Sequence, residues 1–231
     1  KLSALRSKPA NMEIYYGSIN NVDVRPKLLI TSMLFRYQDI ADDPQKILKS
    51  WLSISETVEP TLNLYFGTKA GAHKYLDSRF LALVQALETF HRRTSHEALF
   101  APELYEELSN KIVASCPEEH RDWLAQRLRY GNEISLAKRL KRLMEPFVDL
   151  LGSNHERKAL ARLITDTRNY LTHYDPELSA KAADGRDLWV LTQRMEALLQ
   201  MQLLKIIDFS DEQIKSICSG PQSIGRKLTL R

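Results

Sequence analysis

The chain has 231 residues, 43% of them hydrophobic and 27% charged, which is material for one good-sized core or two modest ones. Eight glycines and nine prolines are too few for a collagen-like or low-complexity chain, and two cysteines, Cys116 and Cys218, are too few for a disulfide scaffold and too far apart for a zinc pair. The formal charge of +4 is small, but Arg127, Arg129, Lys138, Arg139, Lys141 and Arg142 face a single acid, Glu133, so this stretch carries +5 and the remainder −1.

The first residues show no charged region followed by an apolar run, so no signal peptide is read, and no stretch approaches the roughly 18 apolar residues that span a bilayer. The thiols fit a reducing cytoplasm, and no membrane partner is expected. Residues 1–42 read as an extended preface. Met12–Tyr16 and Lys27–Thr31 are short β-like runs bounded by Gly17, Asn20-Asn21 and Pro26, the remnant or linker of an upstream domain that lies outside the chain.

From residue 43 to 219 the signals are helical. Asp43-Pro44 supplies an N-cap and a first-turn proline for a helix through Trp51 and Leu52. Thr61–Phe66 reads as a possible extended stretch. Tyr75–Arg93 is the strongest helix of the first half, with Leu76, Phe80, Leu83, Val84, Leu87 and Phe90 at three- and four-residue steps. Pro102 and Pro117 open two more, and Asn132–Glu145 continues until Pro146 ends or kinks it. Ser153 or Asn154 caps a helix that runs to about Tyr174, where Asp175-Pro176 stops it. A long helix covers about Asp187–Ile207, a short one follows Ser210, and residues 220–231 read as a flexible tail.

The helix ending near Tyr174 carries the chemistry. At about 100° per residue, Leu160, Leu163, Ile164, Thr167, Tyr170, Leu171 and Tyr174 form one apolar stripe expected in the core. Arg162, Asp166, Asn169 and His173 make a polar row opposite, and Arg168 lies roughly 140° around the axis from His173. A histidine exchanges a proton near neutrality, an arginine fork binds phosphate oxygens, and an asparagine orients either without titrating. That set suits a phosphodiester, and no carboxylate pair or His/Cys set is grouped to hold a metal, so neither a metal nor another cofactor is expected. A solvated polar face with His173 complementing the helix dipole is the plain alternative.

Arg168-Asn169-Tyr170-Leu171-Thr172-His173 resembles the Arg-Asn-x3-His motif of the HEPN superfamily, which includes many metal-independent ribonucleases of toxin and antiviral systems. With the Tyr75–Arg93 segment upstream, the chain is similar to the ApeA-like HEPN group over roughly residues 75–208. The resemblance implies an all-α bundle of four or more helices, a homodimer joining two motif copies, and RNA cleavage by 2'-hydroxyl attack on the adjacent phosphate. It also implies an upstream domain and a role in abortive phage defence. Carried to this sequence, Arg168 neutralises the phosphate, His173 is general base or acid, and Asn169 fixes geometry. Some relatives bear a modifiable tyrosine two residues after the histidine; here Asp175 takes that place, so that regulation is not expected.

The alternative within the resemblance is a non-catalytic HEPN module for RNA or nucleotide binding or for dimerisation. Two cationic groups bear on it. His91, Arg92 and Arg93 end their helix and either grip RNA or complement its C-terminus. Lys138, Arg139, Lys141 and Arg142 straddle two faces of theirs, as a solvated surface or a phosphate track. Trp51, Trp123 and Trp189 are expected in core or interface packing, and His73, His96, His120 and His155 at the surface.

Overall fold

A computed structural model of the chain describes residues 33–71, 73–220 and 223–230; the β-like runs at Met12–Tyr16 and Lys27–Thr31 lie outside them. The described part is all-α, and its one β-type contact is an isolated bridge between Ala98 and Glu133. After a 3-10 turn at Tyr37–Asp39 come α1 (Pro44–Lys69), α2 (Leu76–Thr94), α3 (Pro102–Ser115), α4 (Arg121–Leu128), α5 (Leu136–Met144), α6 (Val148–Leu151), α7 (Asn154–His173), α8 (Pro176–Ser179), α9 (Gly185–Ile206), α10 (Asp211–Ser219) and α11 (Ser223–Leu228).

The centre of the bundle is α9, apolar around most of its circumference, with Leu188, Leu191, Met195, Leu198, Leu199, Met201 and Leu204 buried. A helix apolar on nearly all sides must be enclosed. Here α2, α11, α10 and α5 pack against it, and α1 pairs with α2 over most of its length. Phe80, Leu83, Val84, Leu87 and Phe90 of α2 enter the core as their spacing requires.

Four local expectations are corrected. Thr61–Phe66 is not extended but lies within α1, which runs through Pro60. Thr61, Leu62, Tyr65 and Thr68 are its buried residues there, and that helical spacing against α2 outweighs both β propensity and the hydrogen bond lost at the proline. Residues 132–135 are not the first turn of α5. The Asn132 side chain accepts from Phe100 N–H at 2.8 Å and donates to Phe100 O at 3.1 Å, and Ser135 caps a helix that starts at Leu136. Of the tryptophans expected in core or interface packing, Trp123 and Trp189 lie outside the core and are exposed on the single chain, and Trp51 is half-buried.

The fourth correction concerns the tail, which is not wholly flexible: α11 packs on α9 with Ile224 fully buried. Gly225 passes so close to the Cys218 carbonyl that a β-carbon there would collide with backbone. Lys227 donates to Glu196 Oε1 at 2.7 Å and to Gln200 Oε1 at 3.1 Å, inside the bundle. Burial pushes the Glu196 carboxyl up, but Lys227 and Lys69 outweigh it and hold it below the ordinary carboxylate range.

Candidate functional site

The motif sits on α7, whose start is fixed by a capping box. Ser153 Oγ accepts from Glu156 N–H at 3.2 Å, and Glu156 Oε2 accepts from Ser153 N–H at 2.7 Å. Gly152 precedes it with φ 82° in the space that Glu156 would otherwise contest with a β-carbon. The helix is seated through Ala161, Ile164, Thr167 and Leu171, and it packs on α5 and α2. Thr167 Oγ1 accepts from Ala183 N–H at 2.9 Å, pinning the residue beside Arg168 to the connection that leads into α9.

The stripe is narrower than its periodicity implies. Leu163 is 37% exposed and Tyr174 64% exposed. Leu163 stands between two shallow grooves, one bordered by Leu150, Leu160 and Leu228 and the other by Val190 and Leu191, with Arg194 shared by both. Tyr174 lies past the last helical residue with φ 51° and ψ 35°, so the 100° rule no longer directs its side chain. Leu163 thus lies at the open edge of the buried face, whereas Tyr174 lies beyond the last residue that the helical period governs.

Arg168 and Asn169 are half-buried and joined: Arg168 Nη1 donates to Asn169 Oδ1 at 3.0 Å. Asn169 is therefore bonded to the arginine, and no bond joins it to His173 among the described residues. No carboxylate pairs with Arg168 among the described residues, so its guanidinium charge is uncompensated, whereas Arg162 on the same helix pairs with Asp166 at 3.5 Å. His173 is exposed in the last turn, with no side-chain partner among the described residues. The helix closes with Tyr174 N–H donating to Tyr170 O at 2.6 Å, and Asp175 at once caps α8, its Oδ1 accepting from Glu177 N–H at 3.0 Å.

The two flanking cationic groups sit differently from a free phosphate track. His91 and Arg139 are not surface residues; they are 3% and 4% exposed, with Arg139 Nη1 3.3 Å from His91 Nδ1. Burial first, and the Arg139 guanidinium second, hold the His91 imidazole below the ordinary histidine range, Glu97 opposing them in part. Arg92 pairs with Glu133 at 2.5 Å and Glu88 at 3.0 Å. Glu97, from the segment after α2, takes Arg142 at 2.8 Å and Lys138 at 3.1 Å, and Arg142 also meets Glu145 at 2.9 Å. The Glu97 carboxyl is pulled down to about 2 by the hydrogen bonds from Arg142, with Lys138 adding to them. Arg93 and Lys141 have no ion pair among the described residues. Of the six cations in the +5 stretch, Lys138, Arg139 and Arg142 are paired with acids, one of them 45 residues away from Arg142 in sequence, which no local count reveals, and Arg127, Arg129 and Lys141 have no ion pair among the described residues.

Among the described residues no three His, Cys, Asp or Glu side chains are grouped as a metal site requires, and no helix is long and apolar enough to cross a membrane. A helical bundle is the architecture of a HEPN domain. Residues 81–213 match the Apea-like HEPN family, more than half of the chain, and the chain belongs to that family. HEPN domains are generally ribonucleases with RNA-related roles in defence. No curated protein and no solved structure matches the chain.

Proposed function

We propose that the chain is a metal-independent endoribonuclease domain of a cytoplasmic abortive-infection protein, acting on RNA as a homodimer alongside an upstream domain. The observation that carries this reading is the state of the two ionisable motif residues: Arg168 without a carboxylate, and His173 exposed without a partner, on a helix fixed at both ends. An arginine left uncompensated is one free to take a phosphate.

The chemistry follows from the two side chains. His173 takes the proton of a ribose 2'-hydroxyl as its oxygen attacks the adjacent phosphorus. The bond from phosphorus to the 5'-oxygen breaks, and that oxygen receives a proton from an imidazolium. Arg168, aimed by Asn169, offsets charge on the phosphate as it grows. One copy supplies one motif histidine, and Arg168 and His173 diverge by roughly 140° around α7, so a single copy does not complete the set. A second copy, packed along the exposed edge of α7 beside Leu163, brings the second imidazole that the leaving oxygen needs. The same divergence is what favours the other reading, a module that binds RNA or nucleotide and dimerises without cutting.

Incubating the purified chain with mixed RNA in EDTA separates them. The endoribonuclease reading expects cleavage that His173→Ala and Arg168→Ala abolish; salt-sensitive binding without product would establish the binding module in its place.

A further inference from the structure

The C-terminal end of α7 presents an aromatic surface that the phosphodiester chemistry does not use. Tyr174 directly follows His173, is 64% exposed, and sits in the left-handed region with φ 51°. Glycine or asparagine is the ordinary occupant of such a cap, because a β-carbon crowds the following carbonyl there. A tyrosine meets that crowding in full and leaves a large ring in water. Its backbone is nonetheless fixed on both sides, by the 2.6 Å bond to Tyr170 O and by the Asp175 cap of α8. Tyr170 also steadies the ring, with centroids 5.6 Å apart and planes at 62°.

We propose that Tyr174 is a stacking platform for the nucleobase of the nucleotide that His173 reaches, which makes the site selective for unpaired RNA. The proposal rests on the RNA reading of the motif and adds to it the form of RNA accepted. Tyr174 and His173 are consecutive, with α-carbons about 3.8 Å apart, so both side chains leave the same end of α7 within reach of one nucleotide. An unpaired base offers a face to an aromatic ring whatever its identity, whereas a duplex keeps its bases stacked on one another. A ring already held in place loses little freedom on contact.

The test is equilibrium binding of a short unpaired RNA with 2'-O-methyl riboses, which block the attacking hydroxyl, to the full chain and to Tyr174→Phe, Tyr174→Ala and Tyr174→Gly. Phe should bind as the parent does, and Ala should bind about ten-fold more weakly. Gly should bind as weakly as Ala while raising the melting temperature, because it relieves the left-handed backbone; that pairing separates recognition from folding. Equal affinity for all four proteins overturns the stacking role and leaves the catalytic reading standing. If the parent chain neither binds nor cuts unpaired RNA, the RNA reading itself fails and the stacking role with it.

Discussion

At the scale of single residues, α7 commits some of its polar side chains to internal bonds and leaves others without an acid. Thr167 and Thr172 spend their hydroxyls on Ala183 N–H and Arg168 O, Asp166 spends its charge on Arg162, and Arg168 and His173 are left without acids. His91 is the opposite kind of histidine, buried against a guanidinium. Its folded imidazole is harder to protonate than the unfolded one, so the unfolded chain binds more protons as pH falls below the ordinary histidine value of about 6.5. The stability His91 contributes as a neutral group is complete above that value and is lost as pH falls toward its lower folded value. Thermal unfolding between pH 7 and 5 should show the melting temperature dropping with acid, and His91→Gln should flatten that slope while lowering the plateau. An unchanged slope in the variant would assign the acid sensitivity elsewhere.

At the scale of elements, α11 shows how tertiary pairing replaces hydrophobicity. Its sequence is poor in apolar residues and reads as a tail, yet Ile224 and the Lys227–Glu196 pair seat it on α9. Removing one partner of a buried ion pair leaves a charge without compensation, at a cost of about 3 kcal/mol. Lys227→Ala should therefore lower stability by that order in denaturant unfolding, softened by Lys69, which also contacts Glu196. Gly225→Ala should undock the same helix by collision rather than by charge; wild-type stability in both variants would mean that α11 does not hold the bundle.

Legibility followed the same division. The α2 core, the buried Ile164, Thr167 and Leu171 of α7, the Asp43, Ser153 and Ser210 caps and the stop before Asp175-Pro176 are readable in the sequence, because period and capping are local. The full length of α1, the pinning of Asn132 to Phe100, the burial of His91 and Arg139 and the docking of α11 were not, because each depends on a partner distant in sequence. At the site, the positions of Arg168, Asn169 and His173 on one helix were legible. The bond from Arg168 to Asn169 and the outward Tyr174 were not, the first being a rotamer choice and the second a backbone reversal at the cap.

At the scale of the whole molecule, the +4 charge no longer points to a broad phosphate track, since Glu88, Glu97, Glu133 and Glu145 hold most of the cations that flank the motif. On the proposed endoribonuclease reading, recognition rests on Arg168, on cations without an ion pair among the described residues such as Arg93 and Lys141, and on assembly of two copies. Leu163→Glu, which places a carboxylate on the exposed edge of α7 without touching the motif, should shift the chain toward monomer in sedimentation and reduce cleavage in parallel. A variant that stays dimeric and active would move the interface to another face.

On the proposed reading, His173 cuts RNA by moving protons, with the 2'-hydroxyl as nucleophile and no metal. The most direct measurement is the identity of the new ends when the chain cleaves an unpaired RNA in EDTA. Attack by the 2'-hydroxyl leaves a 2',3'-cyclic phosphate opposite a 5'-hydroxyl, and His173→Ala should form them about a hundred-fold more slowly. Products ending in 3'-hydroxyl and 5'-phosphate, appearing only with Mg²⁺, would contradict it.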